Sequence, residues 1–439
     1  MFPKEIFYNE KRRKQGVNAV FARKRGNGMK KITKENILEY LKEKMPEFDD
    51  SLPVEIHAVG EGTEEEDGDG YVNYIYRVRT PRESLVLKQA TSISRVSQQQ
   101  IATYRNHLEY DSMKIFSAIT PEYVPILKFY DQENQLFVME DVSDLHIARF
   151  QLNKNQIFPG LGRQCGEFMA KTEFYTSEYY LSRQEYRRLQ QRFENTELRK
   201  IMEDGMFLDR FQCDIDTSLG EAFAAYASQV STDERYRTEL YKLRRNFMSH
   251  VDALIHADLH TSNLFVSQDQ MKVIDMEFTF VGPFGYDLGY LTGNLISQYC
   301  AACFKPFPSK KEQQKFKAYL LATIQSLFET YFNRFTACWQ KDAKERYQGQ
   351  QGLLCSILEE VMQTAPGYAS MVNWFRAASD IPYPDFDVIV DEEKKRHATS
   401  LSLLIDWGIM FERYEYTTVK DLIDSILKYE NLYMKYLEK

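Results

Sequence analysis

The stretch from Ile255 to Gly289 (IHADLHTSNLFVSQDQMKVIDMEFTFVGPFGYDLG) constrains this chain more than any other. It opens on His256-x-Asp258, places Asn263 five residues after Asp258, and closes an apolar run with Asp275, Met276 and Glu277. Asp258 and Asp275 stand 17 residues apart. That interval holds a loop, a short strand near 264–266, a turn at 267–270 and a second strand near 272–275. Such a hairpin folds the chain back and brings both carboxylates to one end. Alternation along the second strand puts Asp275 and Glu277 on the same side.

The chemistry this order suits is phosphoryl transfer. One carboxylate within hydrogen-bond reach of an attacking hydroxyl orients it and accepts its proton. Hard oxygen ligands hold Mg2+ against the phosphates of ATP. The segment resembles the catalytic loop and metal-binding strand of protein-kinase-like phosphotransferases. Asp258 is therefore the candidate catalytic base. Asp275 is the candidate Mg2+ ligand, with Asn263 and Glu277 as candidate partners. A turn-capping aspartate is the bland reading of Asp258, and the ordered company of His256, Asn263 and Asp275 argues against it. His256 and His260 read as loop-structuring hydrogen-bonders.

Upstream residues complete the pattern. Lys88 lies in an apolar strand (LVLK), where it is placed to contact the ATP phosphates and pair with a glutamate of the next helix, Glu109. The loop from Gly60 to Asn73 is positioned to cover the nucleotide, although its glycines do not form GxGxxG; its acidic run at 64–67 faces solvent in this reading, and Asn73 is the candidate phosphate donor. Glu140, Asp141 and Val142 fall where the backbone of a hinge meets the adenine edge.

Size and composition agree with two lobes. A chain of 439 residues exceeds what one core supports. Its 43% hydrophobic and 27% charged residues are ordinary for a globular protein. A net charge of −8 disfavours nucleic acid and anionic membranes as partners. The six cysteines are scattered, and Cys300-x-x-Cys303 lacks the second pair a zinc site wants, so they read as buried free thiols in a reduced, cytoplasmic protein.

The expected fold class is α+β: a protein-kinase-like two-lobe fold, with a small β-rich N-lobe and a large, mostly helical C-lobe. Residues 1–28 carry basic clusters and precede a second Met at 29. They read as a tail, a targeting segment, or sequence upstream of the true start. The N-lobe is assigned to 29–141 and the C-lobe to 142–439. N-lobe expectations are a helix over 30–48 capped by Thr33, strands at 54–59, 71–79, 84–89 and 135–139, and a helix at about 98–118. Helical patterning then covers 158–176, 183–203, 218–230, 233–250, 286–304, 310–340, 350–364, 395–413 and 418–437, with strands only in the hairpin.

Several segments together resemble the 5-methylthioribose kinase family, part of the aminoglycoside-phosphotransferase and choline-kinase-like group. They are GYVNYIYRV from 70, VLKQA from 86, VMEDVSD from 138, EFYTS from 173, FENTEL from 193, IHADLHT from 255 and IDMEFTFVGPFGYDLG from 274. The likeness runs from about residue 33 to the C-terminus. It implies ATP-dependent phosphorylation of the sugar's anomeric hydroxyl in methionine salvage, and often a homodimer. It carries nucleotide contacts onto Asn73, Lys88, Glu140, Asp141, Val142, Asp275, Met276 and Glu277, and substrate contacts onto Asp258 and Arg396. The family has an arginine pair on a late helix, and here Lys395-Arg396 stands for it. The chain departs from the family pattern at Ala257 (usually Gly), Ser262-Asn263, Met276, Lys395 and the insertion at 63–69. The departures bear on the acceptor more than on the chemistry. The same fold acting on another sugar or an amino alcohol is the alternative. A pseudokinase is a third reading, opposed by the retained Lys88, Asp258, Asn263 and Asp275.

Overall fold

The computed structural model describes residues 29–60, 72–93, 100–208, 228, 232–377 and 384–438. The N-terminal extension 1–28, the acidic run of the glycine loop, Cys213 and all but one residue of the expected helix at 218–230 lie outside the described residues. The chain divides into two compact units: Met1–Leu145 with Lys272–Glu277, and His146–Met271 with Phe278–Lys439.

The first unit is built on an antiparallel sheet of β1 (Glu55–Ala58), β2 (Tyr74–Arg79), β3 (Ser84–Gln89), β4 (Leu127–Asp131) and β5 (Leu136–Glu140), in the order β1-β2-β3-β5-β4. Alternation buries Tyr76 and Val78 of β2 and Leu85 and Leu87 of β3. Helix α1 (Ile37–Lys44) lays Ile37, Tyr40 and Leu41 on this face. An eight-residue helix is too short to persist alone. Burial of each large apolar side chain, worth roughly 1.5–3 kcal/mol, holds it. The helix is shorter than the expected 30–48, and Thr33 is not its cap: the Asn36 side chain accepts from the Thr33 amide, and the Thr33 carbonyl accepts from Ile37.

Helix α2 (Arg105–Ile119) begins later than the expected 98–118, and Tyr104 just before it is exposed. Strand β4 was not expected. A register shift between Leu127 and Phe129 breaks its period-two pattern, so pairing with β5 rather than side-chain alternation defines it.

The second unit is mostly helical, with α3 (Ala148–Asn153), α4 (Leu161–Thr176), α5 (Arg183–Arg192), α6 (Glu234–Ser249), α7 (Tyr286–Phe304), α8 (Lys310–Asp342), α9 (Gln351–Ala377), α10 (Glu392–Glu412) and α11 (Val419–Leu437) as its main helices. Helix α7 is buried over nearly its whole circumference, as expected of an apolar helix without a polar face. Gly289 lets it approach α9: an added Cβ would come within 2.3 Å of the Ala365 carbonyl oxygen.

Short strands frame the motif region: β6 (His146–Ile147), β7 (Ala253–Ile255), β8 (Leu264–Val266), β9 (Met271–Val273) and β10 (Phe280–Gly282). β7 pairs with β10 and β6 with β8. Strands β6, β7 and β10 lie outside the expected hairpin. With two or three residues each, they carry too little sequence to show a period.

Candidate active site

In the first unit, sheet and helix deliver their charges to one point. Lys88 ends the alternating run of β3, opposite Ile75 and Phe137 in the ladder. Its ammonium is 2.8 Å from the Glu109 carboxylate of α2 and also donates to Asp275. The expected partnership of Lys88 with Glu109 is thus present as geometry. Burial works against the Lys88 charge, but Asp275 and then Glu109 outweigh it and hold its pKa above the ordinary lysine range. Burial also pushes the Glu109 and Glu277 carboxyls upward, and repulsion from Asp275 adds to this in both.

The turn carrying Asp275 differs from the expected strand. β9 ends at Val273, whose amide donates to the Tyr123 carbonyl. Asp275 then takes a left-handed φ of 62°, and Met276–Phe278 form a 3-10 turn. Strand alternation therefore does not place Asp275 beside Glu277; the turn does. The result is still a cluster: carboxylate oxygens of Glu109, Asp275 and Glu277 lie within 4.8 Å of one another. Met276 is buried, and its carbonyl accepts from Ser112 of α2.

Arg105, which the sequence did not single out, is the second cation of this cluster. It sits 3.2 Å from Glu277 and donates to the Asn73 side chain, and Asn73 donates in turn to Glu277. Three carboxylates crowd against two cations, a set of oxygen donors whose burial and mutual repulsion oppose full ionisation. That donor set fits a hard divalent cation such as Mg2+.

At the hinge, the Glu140 and Asp141 amides are taken by the Ile126 and Ser84 carbonyls. The Asp141 carboxylate is held by Arg77, Arg79 and Ser84, and Glu140 pairs with Lys272. These side chains brace the strand end. Among the described residues, the Val142 amide has no hydrogen-bond acceptor.

In the second unit, β7 runs into the loop that carries Asp258. Ala257 is buried with a left-handed φ of 68°. Asp287, in the first turn of α7, accepts the amides of His256 (2.6 Å) and Ala257 (2.8 Å) and so holds the loop in that conformation. The Asp258 carboxylate lies 3.6 Å from His260 and interacts with the Tyr290 hydroxyl. Burial alone would raise its pKa; His260, then His256 and Tyr290, reverse this and bring it down to about 2. Asn263 donates its side-chain amide to the Asp258 carbonyl at 2.9 Å. The ring nitrogens of His256 and His260 accept from the Asp258 and Ser262 amides, the local bonding expected of them.

A sequence family described as "phosphotransferase enzyme family" matches residues 63–306. A methylthioribose kinase of Geobacillus sp. (strain WCH70) is 32% identical over 85% of this chain and 92% of its own length. The chain belongs to the methylthioribose kinase family. The methylthioribose kinase of Exiguobacterium sibiricum is 30% identical over 82% of this chain and 90% of that one. Among solved structures, a glucosamine kinase aligns with TM-score 0.47 and 11% identity, covering 85% of each chain. A choline kinase from Cryptosporidium parvum aligns with TM-score 0.44 and 14% identity, covering 86% of this chain and 98% of its own. The expected α+β class is present: the first unit carries a small antiparallel sheet, and the second is mostly helical.

Within this family member, Arg396 is the expected site residue that the structure does not bring to Asp258. His397, its neighbour on α10, stacks on Phe304 at the end of α7, with ring centroids 5.8 Å apart. Tyr290, which touches Asp258, lies 14 residues earlier on the same helix, about 21 Å away at 1.5 Å per residue. The cation linked to Asp258 is instead Arg376 of α9, through Tyr290. Arg105, Asp287, Tyr290 and Arg376 are the site residues that sequence reasoning did not assign. Only Asp287 left a signal, inside the quoted GYDLG segment.

Proposed function

We propose that this chain transfers the γ-phosphoryl group of ATP to the anomeric hydroxyl of 5-methylthioribose, giving 5-methylthioribose 1-phosphate in methionine salvage. The observation that carries the reaction type is the buried Lys88 ammonium shared by Glu109 and Asp275. The acceptor follows from relatives named methylthioribose kinase that match most of the chain. In this reading Lys88 binds the ATP phosphates, Asn73 donates to one of them, and the Val142 amide meets the adenine edge. Asp275 and Glu277 would hold Mg2+. When bound, the ion offsets negative charge on the phosphates. Asp258, anionic at neutral pH, accepts a hydrogen bond from the attacking hydroxyl and takes its proton as the bond to phosphorus forms. A carboxylate of such low basicity acts chiefly by orienting that hydroxyl, with proton transfer late.

Five described cysteines are unpaired, and no described helix is long and apolar enough to cross a membrane. A cytoplasmic setting fits an ATP-consuming sugar kinase with free thiols. The test is ADP release from purified protein with ATP, Mg2+ and a panel of acceptors: methylthioribose, other pentoses and amino alcohols. Turnover confined to methylthioribose supports the proposal; preference for another acceptor overturns its acceptor assignment.

A further inference from the structure

Arg105 opens helix α2 and is only 2% exposed. Its guanidinium is engaged on several sides at once. Nε faces Glu277 at 3.2 Å, Nη2 donates to Asn73 Oδ1 at 2.5 Å, and Nη1 donates to the carbonyls of Thr91 (3.0 Å) and Ala102 (2.8 Å). Asn73 Nδ2 also donates to Glu277 at 3.2 Å, so three side chains close a triangle. All three are buried. Beside it, the Thr91 hydroxyl lies between the carbonyls of Ile93 (2.5 Å) and Val72 (3.1 Å), with one proton to share between them. One planar cation therefore joins the exit of the glycine loop, at Val72–Asn73, to the turn carrying Asp275 and Glu277.

Burying an arginine with a glutamate is a weak route to stability, because apolar residues of similar volume serve as well or better. What an apolar pair cannot do is orient a carboxylate and an amide with respect to each other. A guanidinium can, since its donors are fixed in one plane, and a lysine cannot match that fork. The two side chains it orients are those assigned to phosphate and metal.

We infer that Arg105 is a positioning residue, locking Asn73 and Glu277 in the one mutual orientation from which they receive the phosphates and the divalent cation of a metal–nucleotide complex. The inference rests on the kinase reading above. It implies that the guanidinium serves the metal-bound nucleotide more than the nucleotide alone. Outer partners that orient metal ligands act in this way.

The test is calorimetric titration of ATP, with and without Mg2+, into the full chain as wild type, Arg105→Gln and Arg105→Lys. Thermal unfolding of each variant is measured alongside. Arg105→Gln is expected to weaken binding of Mg2+–ATP by about tenfold or more, within the range for lost outer partners of a metal site, while metal-free ATP binding changes far less. Arg105→Lys, which keeps charge and bulk, falls between. Equal weakening with and without Mg2+ would reduce Arg105 to a structural role and overturn the inference, as would wild-type affinities in both variants. If the glutamine variant does not fold, the lysine variant decides: an unchanged Mg2+-dependent gain in affinity overturns the claim. If the wild type itself gains nothing from Mg2+, the metal assignment of the kinase reading fails as well, an outcome distinct from a defect confined to the variants.

Discussion

At the scale of single residues, two backbone positions matter as much as the side chains. Ala257 and Asp275 both sit at left-handed φ. Aspartate tolerates that region better than alanine does. For Ala257 the cost is on the order of 1–2 kcal/mol, and the two hydrogen bonds to Asp287 offset it. The loop before Asp258 therefore keeps its shape without a glycine at 257, because Asp287 holds it. Ala257→Val should destabilise the fold by about 2 kcal/mol or more, since a β-branched residue is disfavoured at positive φ and the site is fully buried. Ala257→Gly should cost nothing measurable. Denaturant midpoints of the two variants check both.

Asp258 makes a residue-scale prediction about pH. Its folded pKa, about 2, lies below the ordinary value of 3.8, so the folded state favours the ionised form. The stability this contributes is present above the ordinary carboxylate range and is lost as pH falls through about 2. Asp258 stays ionised at neutral pH, and no loss of turnover between pH 5 and 7 arises from it. His260 is the largest counter to burial at this carboxylate. His260→Gln should therefore move the Asp258 titration upward, seen as a shift in the acid limb of kcat/KM. An unmoved limb would contradict this account of the loop.

At the scale of elements, the site depends on what strands and helices hold out to one another. β3 supplies Lys88 and α2 supplies Glu109. Breaking a buried ion pair by removing one partner typically costs about 3–5 kcal/mol. Here the cost should be smaller, because Lys88 keeps Asp275 as a second carboxylate. Glu109→Gln is expected to lose about 2 kcal/mol or less in stability and to raise the KM for ATP, read from thermal unfolding and steady-state kinetics. Asp287 couples the loop after β7 to helix α7. Asp287→Asn replaces one acceptor oxygen by a donor aimed at a backbone amide. Leaving a buried amide unpaired costs about 1–3 kcal/mol, and turnover should fall with it.

Elements with a long pattern were legible before the structure. β3 and α7 fall on their expected bounds: β3 is a short Leu- and Val-rich run set off by the Thr80-Pro81 turn, and α7 is a mostly apolar stretch of 19 residues, too long for a strand. What was missed shares one cause: it is defined by partners and not by local pattern. β4 is a bulged strand and β7 has three residues. Arg105 is one arginine in a helix with no marker of what it faces. The apolar run before Asp275 gives no hint that the chain turns out of the strand there. The likeness of Lys395-Arg396 to an arginine pair says nothing of its distance from Asp258, which the packing of His397 on Phe304 reveals.

At the scale of the whole molecule, the proposed chemistry falls into two units. The first holds Asn73, Lys88, Glu109, Asp275 and Glu277, suited to nucleotide and metal. The second holds Asp258 with His260 and Tyr290, suited to the acceptor hydroxyl. Ligand linkage should expose this division. Saturating Mg2+–ATP at a hundredfold excess over its Kd should stabilise the wild type by about 2.7 kcal/mol. Lys88→Met should lose that shift, and Asp258→Asn should keep it.

The most direct test of the central claim measures ADP release and Mg2+–ATP binding side by side in the wild type and Asp258→Asn, with methylthioribose as acceptor. Turnover in the wild type should depend on the acceptor, the variant should lose about a hundredfold or more, and its nucleotide affinity should be nearly unchanged. Full turnover by Asp258→Asn would contradict that claim.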